Sequence, residues 1–176
     1  MKDKWELDAS NPREYHAVEA KRGREFILRL TTGADVYLAI QQFAKEHEIR
    51  FGKIHCSFMG GFKPAKVLLW TPDPHDPGNW HMETVATFNN LSMVISMSGI
   101  IHPRIVKGVE EPFPAIHYAF GGAWDVPTVG GHLGEGTIVK GVCEVFITEI
   151  LGIDVLLPSG YDPDSDAAPE SWYKES

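Results

Sequence analysis

Residues 24–46 read REFILRLTTGADVYLAIQQFAKE, and the spacing of their apolar side chains changes halfway along. From Arg24 to Leu30, apolar and polar residues alternate, which is typical of a strand. After Thr32–Asp35, which has the composition of a helix start, the apolar residues follow the spacing of one helical face: Val36, Ala39, Ile40, Phe43 and Ala44. The segment therefore predicts a strand followed directly by an amphipathic helix.

The chain beyond this helix predicts strands rather than further helices. Alternating or β-branched runs occur at Ile54–Phe58, Ala65–Trp70, Met82–Phe88, Leu91–Ser98, Phe113–Phe120 and Thr137–Ile150. We expect Gly60-Gly61 to interrupt the strands, Asn89-Asn90 to join its two neighbours into a hairpin, and Thr137–Ile150 to lie centrally. The sequence thus predicts an α+β fold, a mostly antiparallel sheet of about six to eight strands with one main helix packed on it.

Composition divides the 176 residues into one domain with two polar flanks. Residues 1–23 form a polar leader without periodicity, and residues 24–152 contain the predicted strands and helix. Residues 153–176 form an acidic tail. From Pro158 onward, proline, aspartate, serine and alanine predominate, which predicts a mobile end.

The formal net charge of −8 argues against a nucleic-acid surface spread over the whole protein. Cys56 and Cys143 lie far apart in the sequence without a C-x-x-C motif, so we expect two small buried side chains and no disulfide framework. With eight histidines, imidazole is the leading candidate metal ligand. The sequence shows no signal-peptide pattern and no stretch approaching a membrane span, which predicts a cytoplasmic protein without membrane contact.

The sharpest local motif is Val129-Gly130-Gly131-His132-Leu133-Gly134-Glu135-Gly136, within a glycine-rich connection. Glycine occurs where the backbone takes a positive φ or comes close to another group. Gly130, Gly131, His132 and Glu135 are therefore candidate binding residues. The alternative is a glycine-rich bend in which His132 makes only a structural hydrogen bond. The motif is a weak match to a phosphate-binding loop, because Lys140 comes too late for G-x-x-x-x-G-K and G-x-G-x-x-G is absent.

Several segments resemble, in the correct order, the motifs of the PPC (plants and prokaryotes conserved) domain family. They are Arg24–Val36, Phe58–Phe62, Val94–Gly99, and Gly130–Gly136 with Glu144–Ile147. The last pair is similar to the family's GGHL signature and the strand after it. The resemblance is to the bare-domain prokaryotic type, which is related to the domain of plant AT-hook proteins of the nucleus.

This resemblance implies an α+β fold assembled as a homotrimer, and three histidines that bind a metal. His132 matches the histidine of the GGHL signature. The family also has a His-x-His pair on one strand, of which this chain retains only His117. Either Ala115 or Ala119 stands in place of the other member, and the spacing to His132 does not decide between them.

Zinc or another divalent metal held by His117 and His132 would need a further donor. His55 and His102 are the candidate third ligands, His81 and Glu135 are more distant ones, and a neighbouring subunit is another source. In the alternative without metal, the two histidines hydrogen-bond within a subunit interface.

Two functions from different classes are compatible with these residues. The family implies a non-enzymatic trimeric module that binds DNA or acts in regulation, although the net charge disfavours DNA as a partner. The alternative is a metal-dependent hydrolase or lyase with its active site at the subunit interface. In that enzyme, His117 and His132 hold the cation and Glu135 or Glu144 is the acid–base group.

Overall fold

The computed structural model describes residues 18–72, 74–75, 80–122, 127–156 and 172–176, which contain ten strands and one helix. In chain order, these are β1 (Lys21–Thr31), α1 (Val36–Glu46), β2 (Gly52–Phe62), β3 (Ala65–Pro72), β4 (Trp80–Phe88), β5 (Ser92–Val106), β6 (Val109–Gly121), β7 (Val129–Leu133), β8 (Val139–Leu151), β9 (Ile153–Leu156) and β10 (Trp172–Glu175). No helix in this part of the chain is long and apolar enough to cross a membrane.

Eight of the strands form one antiparallel sheet in the order β1-β8-β2-β5-β6-β7-β3-β4, and β9 pairs with β10 separately. The predicted α+β class, with a mostly antiparallel sheet and one helix, is confirmed for the described residues. The predicted total of six to eight strands is too low. The additional strands lie in the glycine-rich connection (β7) and in the tail (β9 and β10), where composition favoured irregular structure.

Asp35 fixes the start of α1. Its Oδ1 accepts a hydrogen bond from the Leu38 N–H at 3.2 Å, and its Oδ2 accepts one from the Gly136 N–H at 2.6 Å. The first bond satisfies an amide that has no partner within the helix, and the second ties the helix start to the turn after β7. The buried residues of α1 are Val36, Ile40 and Ala44, as the apolar spacing predicts.

One face of the sheet, which we call the inner face, packs against α1 in a continuous hydrophobic core. Phe62, Ile54, Met97, Ile116 and Phe120 are among its largest fully buried side chains. The alternate residues of the same strands point to the opposite, outer face. Large apolar side chains remain exposed there, as described below.

Three expectations about strand pairing are wrong. β4 and β5 do not form a hairpin, because β4 pairs with β3 whereas β5 pairs with β2 and β6. Gly60-Gly61 does not end the strand, since β2 continues to Phe62 with shifts in register. β8 lies next to the edge strand β1 and not at the centre of the sheet. Local composition identifies a strand but does not specify its neighbours, which long-range packing selects.

Part of the acidic tail forms a strand, which its composition did not predict. Trp172–Glu175 pairs with Ile153–Leu156 in antiparallel register. The Nη1 of Arg50 donates to Asp154 Oδ1 at 2.5 Å, which attaches the first of these strands to the main domain. Residues 157–171 of the tail and residues 1–17 of the leader lie outside the described residues.

Glu149 of β8 joins β1 and the end of α1 through Arg24. The Nε and Nη2 of Arg24 donate to the Glu149 carboxylate at 2.8 and 2.7 Å, and the Arg24 N–H donates to it at 3.1 Å. Nη2 also donates to the carbonyl oxygen of His47, the C-terminal cap of α1, at 2.8 Å. The side-chain hydrogen bonds from Arg24 hold the pKa of Glu149 below its ordinary value.

We expect Glu149→Gln to reduce the acid sensitivity of the fold. A carboxyl whose pKa is lowered by folding stabilises the protein above its unfolded pKa of about 4.3, and this contribution is lost as the pH falls through the folded pKa. The variant should therefore be less stable at neutral pH and take up as much as about one proton fewer on acid unfolding. Urea denaturation across the acidic range measures this uptake. Glu19→Gln, at an exposed residue, is the control, and equal uptake by wild type and Glu149→Gln would contradict the prediction.

Candidate metal centre

Two neighbouring strands bring His117 and His132 together. His117 on β6 and His132 on β7 are directly paired in the antiparallel ladder, so their side chains leave the same face of the sheet. Their Nε2 atoms are 3.1 Å apart, and their ring centroids are 4.0 Å apart at an interplanar angle of 51°. We call these two residues the histidine pair.

A row of polar side chains extends from the histidine pair across the outer face. His117 is paired with Ser98 of β5, and Ser98 is paired with His55 of β2. We call His55, Ser98, His117 and His132 the histidine row. Adjacent strands are about 4.8 Å apart, so His55 lies about 10 Å from His117. Within one chain, His55 therefore lies on the same face as the histidine pair but too far away to bind the same metal ion.

The surroundings of His132 favour the protonation state of a metal ligand. Partial burial, and secondarily the charge of His117, lowers the pKa of His132, which favours the neutral imidazole. Neutral imidazole is the form that binds metals. Among the residues that the structure describes, no group of three or more histidine, cysteine, aspartate or glutamate side chains is arranged to hold a metal ion. One chain therefore brings two candidate donors together at this place.

Neither His102 nor His81 completes the site within one chain. His102 lies four residues beyond the histidine row along β5, or about 13 Å. Its ring packs against Phe113 with centroids 5.2 Å apart, and its Nδ1 is 3.1 Å from the Pro103 carbonyl oxygen. Burial lowers the pKa of His102. His81 lies on β4, two strands from β7, with its Nε2 3.7 Å from Glu83.

The two carboxylates considered as acid–base groups lie elsewhere. Glu135 is exposed in the turn after β7. Its charge acts on Tyr37 of α1, whose pKa is raised first by burial and further by Glu135. Glu144 lies on β8, three strands from β6, and accepts a hydrogen bond from Arg29 Nη1 at 3.0 Å. Neither carboxylate has a hydrogen bond to the histidine pair among the described residues, so the geometry gives no support to an acid–base role for them.

Gly130 and Gly131 let β7 fit between its neighbours. A Cβ at Gly130 would lie 2.9 Å from the Tyr118 carbonyl oxygen of β6, and a Cβ at Gly131 would lie 2.6 Å from a methyl group of Val67 on β3. A side chain at either position would force the strands apart. The glycines of the GGHL signature thus help to hold His132 beside His117, and their assignment as binding residues stays a prediction.

Cys56 and Cys143, separated by 87 residues in the sequence, are neighbours in the fold. Their Sγ atoms are 3.7 Å apart, and both are free, buried thiols on β2 and β8. Burial is as predicted, and the fold additionally makes the two thiols neighbours. The hydrogen bond to Cys143 and burial raise the pKa of the Cys56 thiol, so it is not a reactive thiolate.

The histidine row divides the outer face into two regions. Toward the start of β5, Met93 is 46% and Ile95 is 59% exposed, and Trp70 of β3 is 40% exposed on the far side of β6 and β7. We call these three residues the apolar patch. Toward the end of β5 lies a groove of about 470 Å³, whose lining includes Lys53, Ser98 and Ile100.

Sequence reasoning missed Ser98, Lys53 and the apolar patch as parts of this surface. Alternation along β2 places Lys53 on the same face as His55. However, only the observed strand order shows that this face continues to the histidine pair.

Most arginines of the described residues already face carboxylates. The ion pairs are Arg22–Glu25, Arg24–Glu149, Arg29–Glu144, and Arg50 with both Glu110 and Asp154. The fifth arginine in this part of the chain, Arg104, lies over the ring of Phe113 at 5.2 Å. Nucleic-acid binding depends on cations that can neutralise phosphates. These pairings leave little arginine charge for that purpose.

Solved structures with the same fold come from three distant organisms. A plant- and prokaryote-conserved (PPC) protein of Pyrococcus horikoshii is 22% identical, with 88% of this chain and 96% of that chain covered and a TM-score of 0.66. A metal-containing protein of Archaeoglobus fulgidus is 23% identical, with coverage of 77% and 86% and a TM-score of 0.60. A protein of Bacteroides thetaiotaomicron described as a candidate DNA-binding protein is 18% identical, with coverage of 89% and 97% and a TM-score of 0.59.

At these identities the three structures show a shared fold and nothing more specific. No curated protein matches the chain. The sequence profile of the Plants and Prokaryotes Conserved (PCC) domain matches residues 17–151, which confirms the family resemblance of the GGHL signature and the segments before it. This chain belongs to the Plants and Prokaryotes Conserved (PCC) domain family.

Proposed function

We propose that the protein is a homotrimeric binding module in which His117 and His132 hold a divalent metal ion, with further donors from a neighbouring subunit or a ligand. The observation that carries this proposal is the 3.1 Å separation of the two Nε2 atoms on an exposed face. The proposal names no reaction, because no acid–base group stands beside the histidine pair in the described residues.

The geometry of the histidine pair fits two corners of a zinc site. Two nitrogen ligands about 2.0–2.1 Å from a tetrahedral zinc ion lie about 3.3 Å from each other. The observed 3.1 Å is within a few tenths of an ångström of that value. When bound, a divalent ion supplies a Lewis acid that attracts an oxygen-bearing ligand. In this proposal, His117 and His132 anchor the ion, and other donors fill its remaining positions.

The apolar patch supports assembly next to the histidine pair. Trp70, Met93 and Ile95 are all at least 40% exposed, and Met93 and Ile95 precede the Ser98 position on β5. Large apolar side chains left exposed next to one another, as Met93 and Ile95 are on β5, mark interaction sites. A subunit docked on this patch would bring its own donor groups close to His117 and His132. The family resemblance supports three copies as the number assembled.

We do not propose DNA as the partner. Three chains of −8 each give −24 for a trimer. Such a charge repels a duplex unless cations concentrate on one face. Four of the five described arginines are instead paired with carboxylates. The family's association with DNA is therefore not the function that these residues support best.

Metal analysis of untagged protein tests the proposal. We expect wild-type protein to retain about one zinc ion per chain after dialysis. His132→Gln should weaken zinc binding by more than about 100-fold, because loss of a direct ligand exceeds the roughly 10–100-fold effect of losing an outer partner. Elemental analysis and competition with a chromogenic zinc chelator measure both quantities. His81→Gln is the control, since His81 is an exposed histidine on β4.

Two outcomes would contradict the proposal. In the first, wild-type protein saturated with zinc, cobalt or nickel retains no more metal than His132→Gln. In the second, metal-free protein binds an A/T-rich duplex with strong salt dependence, which would favour the DNA-binding role instead.

A further inference from the structure

The groove on the outer face lies beside the histidine row and has no part in the proposed metal site. Its volume of about 470 Å³ falls within the range of about 300–1,000 Å³ that is typical of small-molecule sites. Ile100, Ile150 and Ile153 make its lining predominantly apolar. Gly52 and Gly99 contribute backbone to its lining.

Lys53 is the one charged side chain in the lining of the groove. It is exposed, and it is directly paired with Ile100 across β2 and β5. The ion pairs found among the described residues use arginine or histidine as the cation and leave Lys53 without a carboxylate partner. A single cation therefore stands beside an apolar surface.

We propose that this groove binds a small monocarboxylate with an aliphatic body. The carboxylate would pair with the Lys53 ammonium group, and the hydrocarbon chain would lie on Ile100 and Ile150. One lysine matches a single negative charge, whereas ligands with several phosphate charges are generally held by multiple donors or an arginine fork. Octanoate, with a chain of eight carbons and one carboxylate, is the simplest ligand with this chemistry.

Ser98 connects the groove with the histidine row. It lines the groove, and it is paired with His55 on one side and His117 on the other. A ligand in the groove thus lies on the same face as the histidine pair, one strand away from it. Its binding needs no metal ion, so this inference stands independently of the proposed function.

Calorimetric titration of the full chain with octanoate and octan-1-ol tests the proposal. We expect octanoate to bind with a dissociation constant below about 1 mM, which is within reach of a ligand of about ten non-hydrogen atoms. Lys53→Gln should weaken octanoate binding by about tenfold and leave octan-1-ol binding unchanged, because only the acid has a charge to lose. Lys45→Gln, an exposed lysine of α1, is the matched control.

Two further variants test whether octanoate binding depends on the proposed metal site and on the apolar lining of the groove. His132→Gln should bind octanoate as wild type does, even though it has lost the proposed metal. Ile100→Asn should weaken both ligands, since it removes the apolar surface. Failure of wild type to bind octanoate would overturn the proposal, as would equal octanoate affinity in Lys53→Gln and wild type. Dissociation of the oligomer by Ile100→Asn, together with absence of octanoate binding to wild type, would assign the groove to a second copy of the chain and also overturn the proposal.

Discussion

Replacement of Ile95 by aspartate is expected to dissociate the proposed trimer into monomers. Ile95 is 59% exposed and belongs to the apolar patch with Trp70 and Met93. Burial of an isoleucine side chain contributes about 1.5–3 kcal/mol, and a trimer would contain three such contacts. An aspartate there would also bury an unpaired carboxylate, which costs more than the lost apolar contact. The combined loss is comparable to the roughly 8 kcal/mol that holds an assembly with a micromolar dissociation constant together.

Analytical ultracentrifugation at micromolar concentration measures this dissociation. Val109→Asp is the matched control, because Val109 has the same 59% exposure at the tip of the β5–β6 hairpin, away from the apolar patch. We expect the control to sediment as wild type does. Persistence of the trimer in Ile95→Asp would show that the apolar patch is not the interface, and a monomeric wild type would refute the trimer itself.

The same variant tests whether a neighbouring subunit completes the metal site. Ile95→Asp leaves His117 and His132 in place on β6 and β7. If a neighbour supplies a donor, the monomeric variant should bind zinc more weakly than the wild-type trimer. Unchanged zinc affinity in a proven monomer would mean that the remaining donors are not protein groups of another chain.

The helix could be predicted from sequence because its signals are local. Val36, Ile40 and Ala44 recur at intervals of four residues and are the buried residues of α1, and Asp35 caps its first turn. The strands themselves could also be predicted, from the alternation of apolar and polar residues. Their pairing partners could not be predicted, because pairing depends on which strand faces meet in the core. Asn89-Asn90 favoured a hairpin by composition, yet β4 and β5 pair with other strands.

The histidine pair illustrates the same limit at the site. His117 and His132 were chosen from motifs, but their direct pairing depends on the register of β6 and β7, which no local pattern specifies. The glycine content of β7 favoured a loop, whereas in the fold it allows a strand to fit closely between two others. His55 was a reasonable third ligand by proximity of strands, and the intervening β5 keeps it about 10 Å away within one chain.

Gly99→Ala is expected to produce the largest loss of stability of any single methyl group added to the sheet. A Cβ at Gly99 would overlap the carbonyl oxygen of Ala115 on β6 and lie 2.9 Å from the Ile116 Cα. Both are backbone atoms, so no side-chain rotation relieves the clash. Overpacking in a close-packed region costs about 1–3 kcal/mol, and a backbone clash belongs at or above the upper end of that range. We therefore expect a loss of about 3 kcal/mol or more in the free energy of unfolding.

Gly108→Ala is the control for this prediction. Gly108 has a φ of +74° at the turn between β5 and β6, with no atom within 4 Å of a Cβ there. Its substitution strains the backbone by about 1–2 kcal/mol without any clash. Urea denaturation of both variants separates the two effects. Equal destabilisation would contradict the close approach of β5 and β6 at Gly99.

Gly99→Ala should also weaken zinc binding under conditions in which the variant is still folded, whereas Gly108→Ala should not. The reason is that Ser98 and His117 are paired one residue away from the close contact at Gly99.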